Sequence, residues 1–211
     1  MAIAEPAYTR LPVDERRRRL LELGTELFAR HSYDELSMAD IARDAGISKA
    51  LLYHYFPSKQ QFFEATLAQA AEEVRRLTEP DPELPPLEAL GSSVDAFLGW
   101  VGQNELAYRK LMQSTGSVPA VRALIDQVRD RTSQRILEGL GMGKEPPPKA
   151  RAAVRAWLWY MDGAIHDWLQ HRDMDRGELR DLLLGSLVGA LTAAGAADTL
   201  ARLAAAAEQS S

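Results

Sequence analysis

Ala39-Asp40-Ile41-Ala42-Arg43-Asp44-Ala45-Gly46-Ile47-Ser48-Lys49-Ala50-Leu51-Leu52-Tyr53-His54-Tyr55-Phe56 reads as two short helices joined at Ala45-Gly46-Ile47. Glycine permits the tight turn, and Ala42 and Ala45 let the two helices approach. Ile47 and Leu52 then set their crossing, so that the second helix can project into a DNA major groove. Leu52 and Phe56 lie one turn apart and face inward, which leaves Lys49, Ala50, Tyr53 and His54 on the outer edge.

The flanks extend this unit. Ser37-Met38-Ala39-Asp40 has the form of a capping box, with Met38, Ile41, Ala42 and Ala45 as the buried side of the helix it opens. Ser48 caps the second helix and Pro57 closes it. Upstream, a helix is expected after Pro12 with Asp14 as N-cap, burying Leu20, Leu23, Leu27 and Phe28 and ending near His31. Downstream, Ser58-Lys59-Gln60-Gln61 opens a longer helix carrying Phe63, Leu67, Ala70, Val74 and Leu77.

Apolar residues recur at three and four almost throughout, and no stretch alternates as a strand would, so the expected class is all-α with about nine helices. Residues 1–58 form the helix-turn-helix head, with 59–79 as a connecting helix. Pro80, Pro82, Pro85 and Pro86 mark the boundary to a second helical domain over 80–211. Its helices are expected from Leu87 to Gly102, Glu105 to Ser114, Pro119 to Leu140, Lys149 to His171 and Glu178 to Ala207. Asp175 with Glu178 caps the last of these.

The 211 residues suffice for a hydrophobic core without staples, and the absence of cysteine removes disulfides and thiolate metal sites. No apolar run occupies Met1 to Pro12, and Glu22 and Glu26 after Arg16 to Arg19 argue against a twin-arginine leader, so export is not expected. No segment has eighteen consecutive apolar residues. The net charge is -5, yet residues 1–60 hold nine basic and nine acidic side chains, and Gly46 to Lys59 contains two lysines and no carboxylate. The surface that would face phosphate is therefore locally positive. The arginine run itself reads as a solvated helix face or as phosphate contacts.

Ser37-Met38-Ala39-Asp40-Ile41-Ala42, Ala45-Gly46-Ile47-Ser48 and Leu52-Tyr53-His54-Tyr55-Phe56-Pro57-Ser58-Lys59 together resemble the DNA-binding head of TetR regulators. Tyr33 and the first helix are in register. The resemblance covers about fifty residues and implies a cytoplasmic homodimer that binds operator DNA and answers to a small molecule. It implies phosphate contacts for Ser48, Tyr53, Tyr55 and Lys59, and a base-reading face of Lys49, Ala50, Leu51 and His54. Lys59 sits in the first turn of its helix, where backbone N–H groups and the ammonium can share a phosphate; Ser37 can donate to the DNA backbone in the same way. Many members carry Gly-Thr where this chain has Ala50-Leu51, which exchanges a hydroxyl for apolar contact with thymine methyls.

Helix-turn-helix heads read half-sites in pairs, so a dimer surface is expected. Gly185, Gly189, Ala193 and Ala197 recur every four residues beside a ridge of Leu179, Leu183, Leu187 and Leu191. With Leu182 and Ser186 they form the candidate interface of a four-helix bundle across a two-fold axis; an intrachain core explains the leucines equally well. The second domain is dense in aromatic and sulfur side chains. Trp100, Tyr108, Met112, Trp157, Tyr160, Met161 and Trp168 suit the lining of a largely hydrophobic effector, or simply a core. Trp159, Asp162 and His166 share a helix face, and Asp162 and His166, one turn apart, read as a buried hydrogen bond, as ligand anchors, or as the acid and base of a small-molecule enzyme. Nothing else supports an enzyme: there is no phosphate loop, zinc-protease motif or nucleophile elbow. Asp162, His166 and His171 are too few and too poorly patterned for a metal, and no cofactor is expected.

Overall fold

The computed structural model describes residues 13–114, 116 and 118–208. The stretch read above as lacking an apolar run, Met1 to Pro12, lies outside them. Among the described residues every regular element is helical: α1 (Val13–Arg30), α2 (Met38–Asp44), α3 (Lys49–Tyr55), α4 (Lys59–Leu77), α5 (Pro86–Gln103), α6 (Glu105–Ser114), α7 (Pro119–Gly139), α8 (Pro148–His171), α9 (Arg176–Ala193) and α10 (Ala197–Glu208). The chain packs as two compact units, Met1–Ala70 and Ala71–Ser211, and the division falls inside α4. The first turns of that helix bury Phe62, Phe63 and Thr66, while Leu77 at its far end is 56% exposed although its spacing places it on the apolar stripe.

The first unit is built on Leu20, Leu21 and Leu27 of α1, Met38, Ile41 and Ala42 of α2, Leu52 and Phe56 from the region of α3, and Phe62 of α4. Leu23 and Phe28 are half-buried against this core. Helix α1 starts at Val13, so Asp14 sits within its first turn and favours the helix by its charge instead of by capping. Ser37 and Asp40 do form the capping box: the Asp40 N–H donates to Ser37 Oγ at 3.2 Å and the Ser37 N–H to Asp40 Oδ2 at 3.2 Å. At Gly24, α1 meets side chains of α4 with no room for a side chain of its own. A Cβ there would lie 2.5 Å from Thr66 Oγ1 and 2.8 Å from Phe62 Cζ, both on buried side chains. Gly24→Val should therefore lower the stability of the head by about 1–3 kcal/mol through overpacking, with the second unit unaffected. Hydrogen exchange resolved by helix checks this; uniform protection in both units would refute the close approach.

In the second unit α8 and α9 pack most extensively, with α5 on α9, α7 on α8, α10 on α9 and α5, and α6 on α5 and α7. Leu179, Leu183, Leu187 and Leu191 all lie within this intrachain core. The single helix expected from Glu178 to Ala207 is in fact two. Gly195 adopts φ 88°, its N–H donates to Thr192 O at 3.0 Å, and the Ala196 N–H reaches back to Leu191 O at 3.0 Å. This pair of bonds ends a helix by satisfying its last carbonyls with a left-handed residue. The break brings Leu200 of α10 back onto the core and places Ala197 beyond α9, so the four-residue row of small residues ends at Ala193.

Candidate functional site

Gly46 does for α2 what Gly195 does for α9. At φ 65° it donates to Arg43 O, and Ile47 donates to Ala42 O, each at 3.0 Å. The chain reverses within three residues and Ser48 begins α3 at once, its Oγ accepting the Leu51 N–H at 3.2 Å. With Leu52 and Phe56 buried, α3 has one possible inner face. Lys49, Ala50, Tyr53 and His54 are all exposed on the other, and Leu51 and Tyr55 are half-buried at its edges. Lys49 Nζ lies 5.8 Å from the centroid of the Tyr53 ring, and the His54 ring meets Tyr55 edge-on at 5.6 Å.

Charge pairing sharpens this face. Arg18 is held by Glu15 at 2.8 Å and Glu22 at 2.5 Å, and Arg19 by Glu15 at 2.9 Å, so two arginines of the run are neutralised along α1. The Glu15 carboxyl is accordingly held below its usual range, first by its hydrogen bonds to Arg18 and Arg19. Asp40 and Asp44 are paired with Arg43 at 2.8 and 3.3 Å. Arg17 instead lies over the Phe56 ring, at 5.3 Å.

Lys59 is placed differently from what its position in α4 suggests. Its ammonium donates to Tyr33 O and Leu36 O, each at 3.0 Å, and stands 4.2 Å from the Tyr33 ring. It staples the connection between α1 and α2 to the start of α4. Lys59→Met should destabilise the head by about 2 kcal/mol. Affinity should then fall equally on all DNA probes, with the slope of log K against log salt changed by clearly less than the roughly 0.9 of one phosphate contact. A loss of that full increment would assign the ammonium to phosphate instead.

The aromatic residues of the second unit separate into two groups. Trp157 and Trp168 belong to the core: the Trp157 indole N–H donates to Leu183 O at 2.8 Å and Ser186 Oγ at 3.2 Å, and that of Trp168 to Met174 O at 3.0 Å. Trp100, Met112 and Met161 are partly buried against that core, while Tyr160 is 43% and Trp159 61% exposed. Tyr108 is buried and its hydroxyl donates to Asp162 Oδ1 at 3.2 Å. Burial, then the neighbouring Asp162 charge, pushes the phenol far above its ordinary value, so it remains a donor.

The other Asp162 oxygen accepts from Arg129 of α7. This overturns the expected pairing of Asp162 with His166. The carboxylate turns across the seam to a guanidinium, a charge-assisted partner, and the imidazole is exposed on the solvent side. The acid–base pair of the enzyme reading is thus not assembled. Arg129, 33 residues away in sequence, is the residue that local spacing missed.

On α9, Leu182, Gly185, Gly189 and Ala193 are exposed, and a Cβ added to either glycine meets nothing within 4 Å. Ser186 is half-buried and bonded within the chain. Among the described residues no helix is long and apolar enough to cross a membrane, and no three His, Asp or Glu side chains gather as a metal would require.

Two family profiles match the chain: bacterial regulatory proteins of the tetR family over residues 20–66, and a tetracyclin repressor-like C-terminal domain over residues 86–190. A tetR-family transcriptional regulator from Streptomyces coelicolor superposes with a TM-score of 0.76 at 29% identity, covering 95% of this chain and 90% of that one. The HTH-type transcriptional activator FasR of Mycolicibacterium smegmatis is 31% identical over 109 residues, 50% of this chain and 49% of that protein. The chain thus spans about half the length of that relative. The uncharacterized HTH-type transcriptional regulator YhgD of Bacillus subtilis is 24% identical over 190 residues, 85% of this chain and 98% of that protein.

Proposed function

The chain belongs to the TetR family, and from that premise we propose that it is a helix-turn-helix transcriptional regulator, a homodimeric repressor released from operator DNA by a small, largely hydrophobic effector. The observation that carries DNA binding is the outer face of α3, where Lys49, Ala50, Tyr53 and His54 stand exposed while Leu52 and Phe56 hold the helix from behind. Lys49, Ala50, Leu51 and His54 read base edges, and Ser48, Tyr53 and Tyr55 position the phosphate backbone; Ser37, whose hydroxyl donates to Asp40 Oδ2 at 2.5 Å instead of to DNA, and Lys59 support them from within. Pairing through the open α9 face of Leu182, Gly185, Gly189 and Ala193 presents two heads to one duplex.

Regulation is a population shift. The ligand-free dimer holds the two α3 helices at operator spacing, and the effector binds a state in which they are displaced. Helix α4 suits the transmission, because it is continuous from the head core into the second unit. There the Arg135 guanidinium of α7 reaches Thr78 Oγ1, just past the end of α4, at 3.3 Å. Repression is the first reading, and the activator name of the M. smegmatis relative keeps activation as the second.

Selection of bound genomic fragments, followed by titration, tests the proposal. The enriched sequences should contain inverted half-sites about 34 Å apart or a multiple of that spacing. His54→Ala should reorder preference among sequences by about 1–3 kcal/mol per affected base pair. No enrichment over random DNA would end the operator reading. A reporter that rises when the protein is supplied would replace repression by activation.

A further inference from the structure

We propose that the effector is a lipophilic organic cation seated against the Asp162 carboxylate, and that Arg129 is the internal cation it displaces. The inference rests on the effector reading above and names the chemistry of that site. A continuous series of contacts carries it. The rings of Trp100 and Phe97 stack at 6.3 Å and 12°, and Phe97 meets Tyr108 edge-on at 6.3 Å. Tyr108 donates to Asp162, Asp162 holds Arg129, and the guanidinium carbon of Arg129 lies 3.7 Å from the Trp159 ring centroid. Four helices, α5 to α8, therefore meet through aromatic faces around one partly buried ion pair, with Arg129 and Asp162 only 14% and 21% exposed.

The two halves of that pair are not equally replaceable. Arg129 has a second acid within reach, Asp126 at 3.6 Å and 52% exposed, and the indole face of Trp159 remains beneath it. A cation arriving at Asp162 lets Arg129 turn to Asp126, with no charge left alone. An anion arriving at Arg129 would leave Asp162 with the Tyr108 hydroxyl as its remaining bond, an uncompensated carboxylate in a poorly solvated place. Around the pair, α7 and α8 also carry the contacts of Asp126 with Arg129 and of Asp130 with Arg155. A carboxylate only accepts hydrogen bonds, and the ring faces of Phe97 and Trp100 attract positive charge, so the polar anchor and its apolar surroundings select the same ligand class.

The test is calorimetric titration of the full chain with benzyltrimethylammonium, benzoate and benzyl alcohol, which share a ring and differ in charge. Saturable binding of the cation alone is expected. Asp162→Asn should weaken it roughly tenfold or more, and Arg129→Gln should tighten it several-fold by removing the internal competitor. The opposite signs are the diagnostic, because a purely structural pair would weaken binding in both variants; thermal melts establish that each is folded at the titration temperature. No saturable cation binding, equal binding of benzoate or benzyl alcohol, or loss of affinity in Arg129→Gln would overturn the proposal. Release of operator DNA by a neutral or anionic compound would sink the cation inference and leave the effector reading standing. Cation binding through Asp162 with unchanged operator affinity would do the reverse.

Discussion

The double variant Gly185→Arg/Gly189→Arg should run as a folded monomer and lose about 10²–10⁴-fold in affinity for a two-half-site operator, while a single half-site is bound as before. Both glycines lie on the exposed side of α9, and a Cβ on either meets nothing within 4 Å, so the protomer has room for the longer side chains. The buried side of the same helix, Leu179, Leu183, Leu187 and Leu191, is untouched. Two charged side chains on a close helix-to-helix approach would be intolerable across a two-fold axis, where each substitution is met by its own copy. If the protein pairs through α9 as proposed, the loss in affinity comes from uncoupling two heads that otherwise bind as one ligand. Sedimentation and anisotropy on one- and two-site probes measure it. A variant that stays dimeric with full operator affinity would move the interface away from α9.

Trp157→Ala should destabilise the second unit by about 3–5 kcal/mol, a fall in melting temperature on the order of 10 °C for a unit of this size. Trp157 fills the core between α8 and α9, and its indole N–H is bonded to Leu183 O and Ser186 Oγ. Truncation removes one of the largest side chains of the core and empties a space that helices on both sides cannot easily close. If the residue lined an open effector site instead, alanine would cost little stability and would change which compounds bind. Thermal unfolding together with the titrations above distinguishes the two, and a shift of only a degree or two would return Trp157 to the ligand site. Tyr160 offers the contrast, since at 43% exposure its truncation should leave stability nearly unchanged.

The head was legible because its signals are local. Ser37 and Asp40, Gly46, Ser48 and the pair Leu52 and Phe56 each act within a turn or two of chain, so spacing alone specified the capped helices, the reversal between them and the outer face of α3. The helices of the second unit were legible for the same reason, to within a residue or two at each end. The exception was the split at Gly195, where alanines on both sides are good helix formers and the left-handed turn is repaid by returning Leu200 to the core.

Side-chain partnership is another matter, because it depends on which helices come together. Spacing offered His166 to Asp162, and packing gave it Arg129 and Tyr108, 33 and 54 positions away. Lys59 similarly sits at the right place for a phosphate and is held instead by two carbonyls more than twenty residues upstream. Trp157 and Tyr160, three apart on one helix, face opposite environments only because α9 covers one side of α8. Periodicity along one chain therefore determined the class, the helix-turn-helix and its outer face; the tertiary structure decided which charges pair and which aromatics are core, since desolvation and charge-assisted bonding act between helices that the sequence does not place side by side.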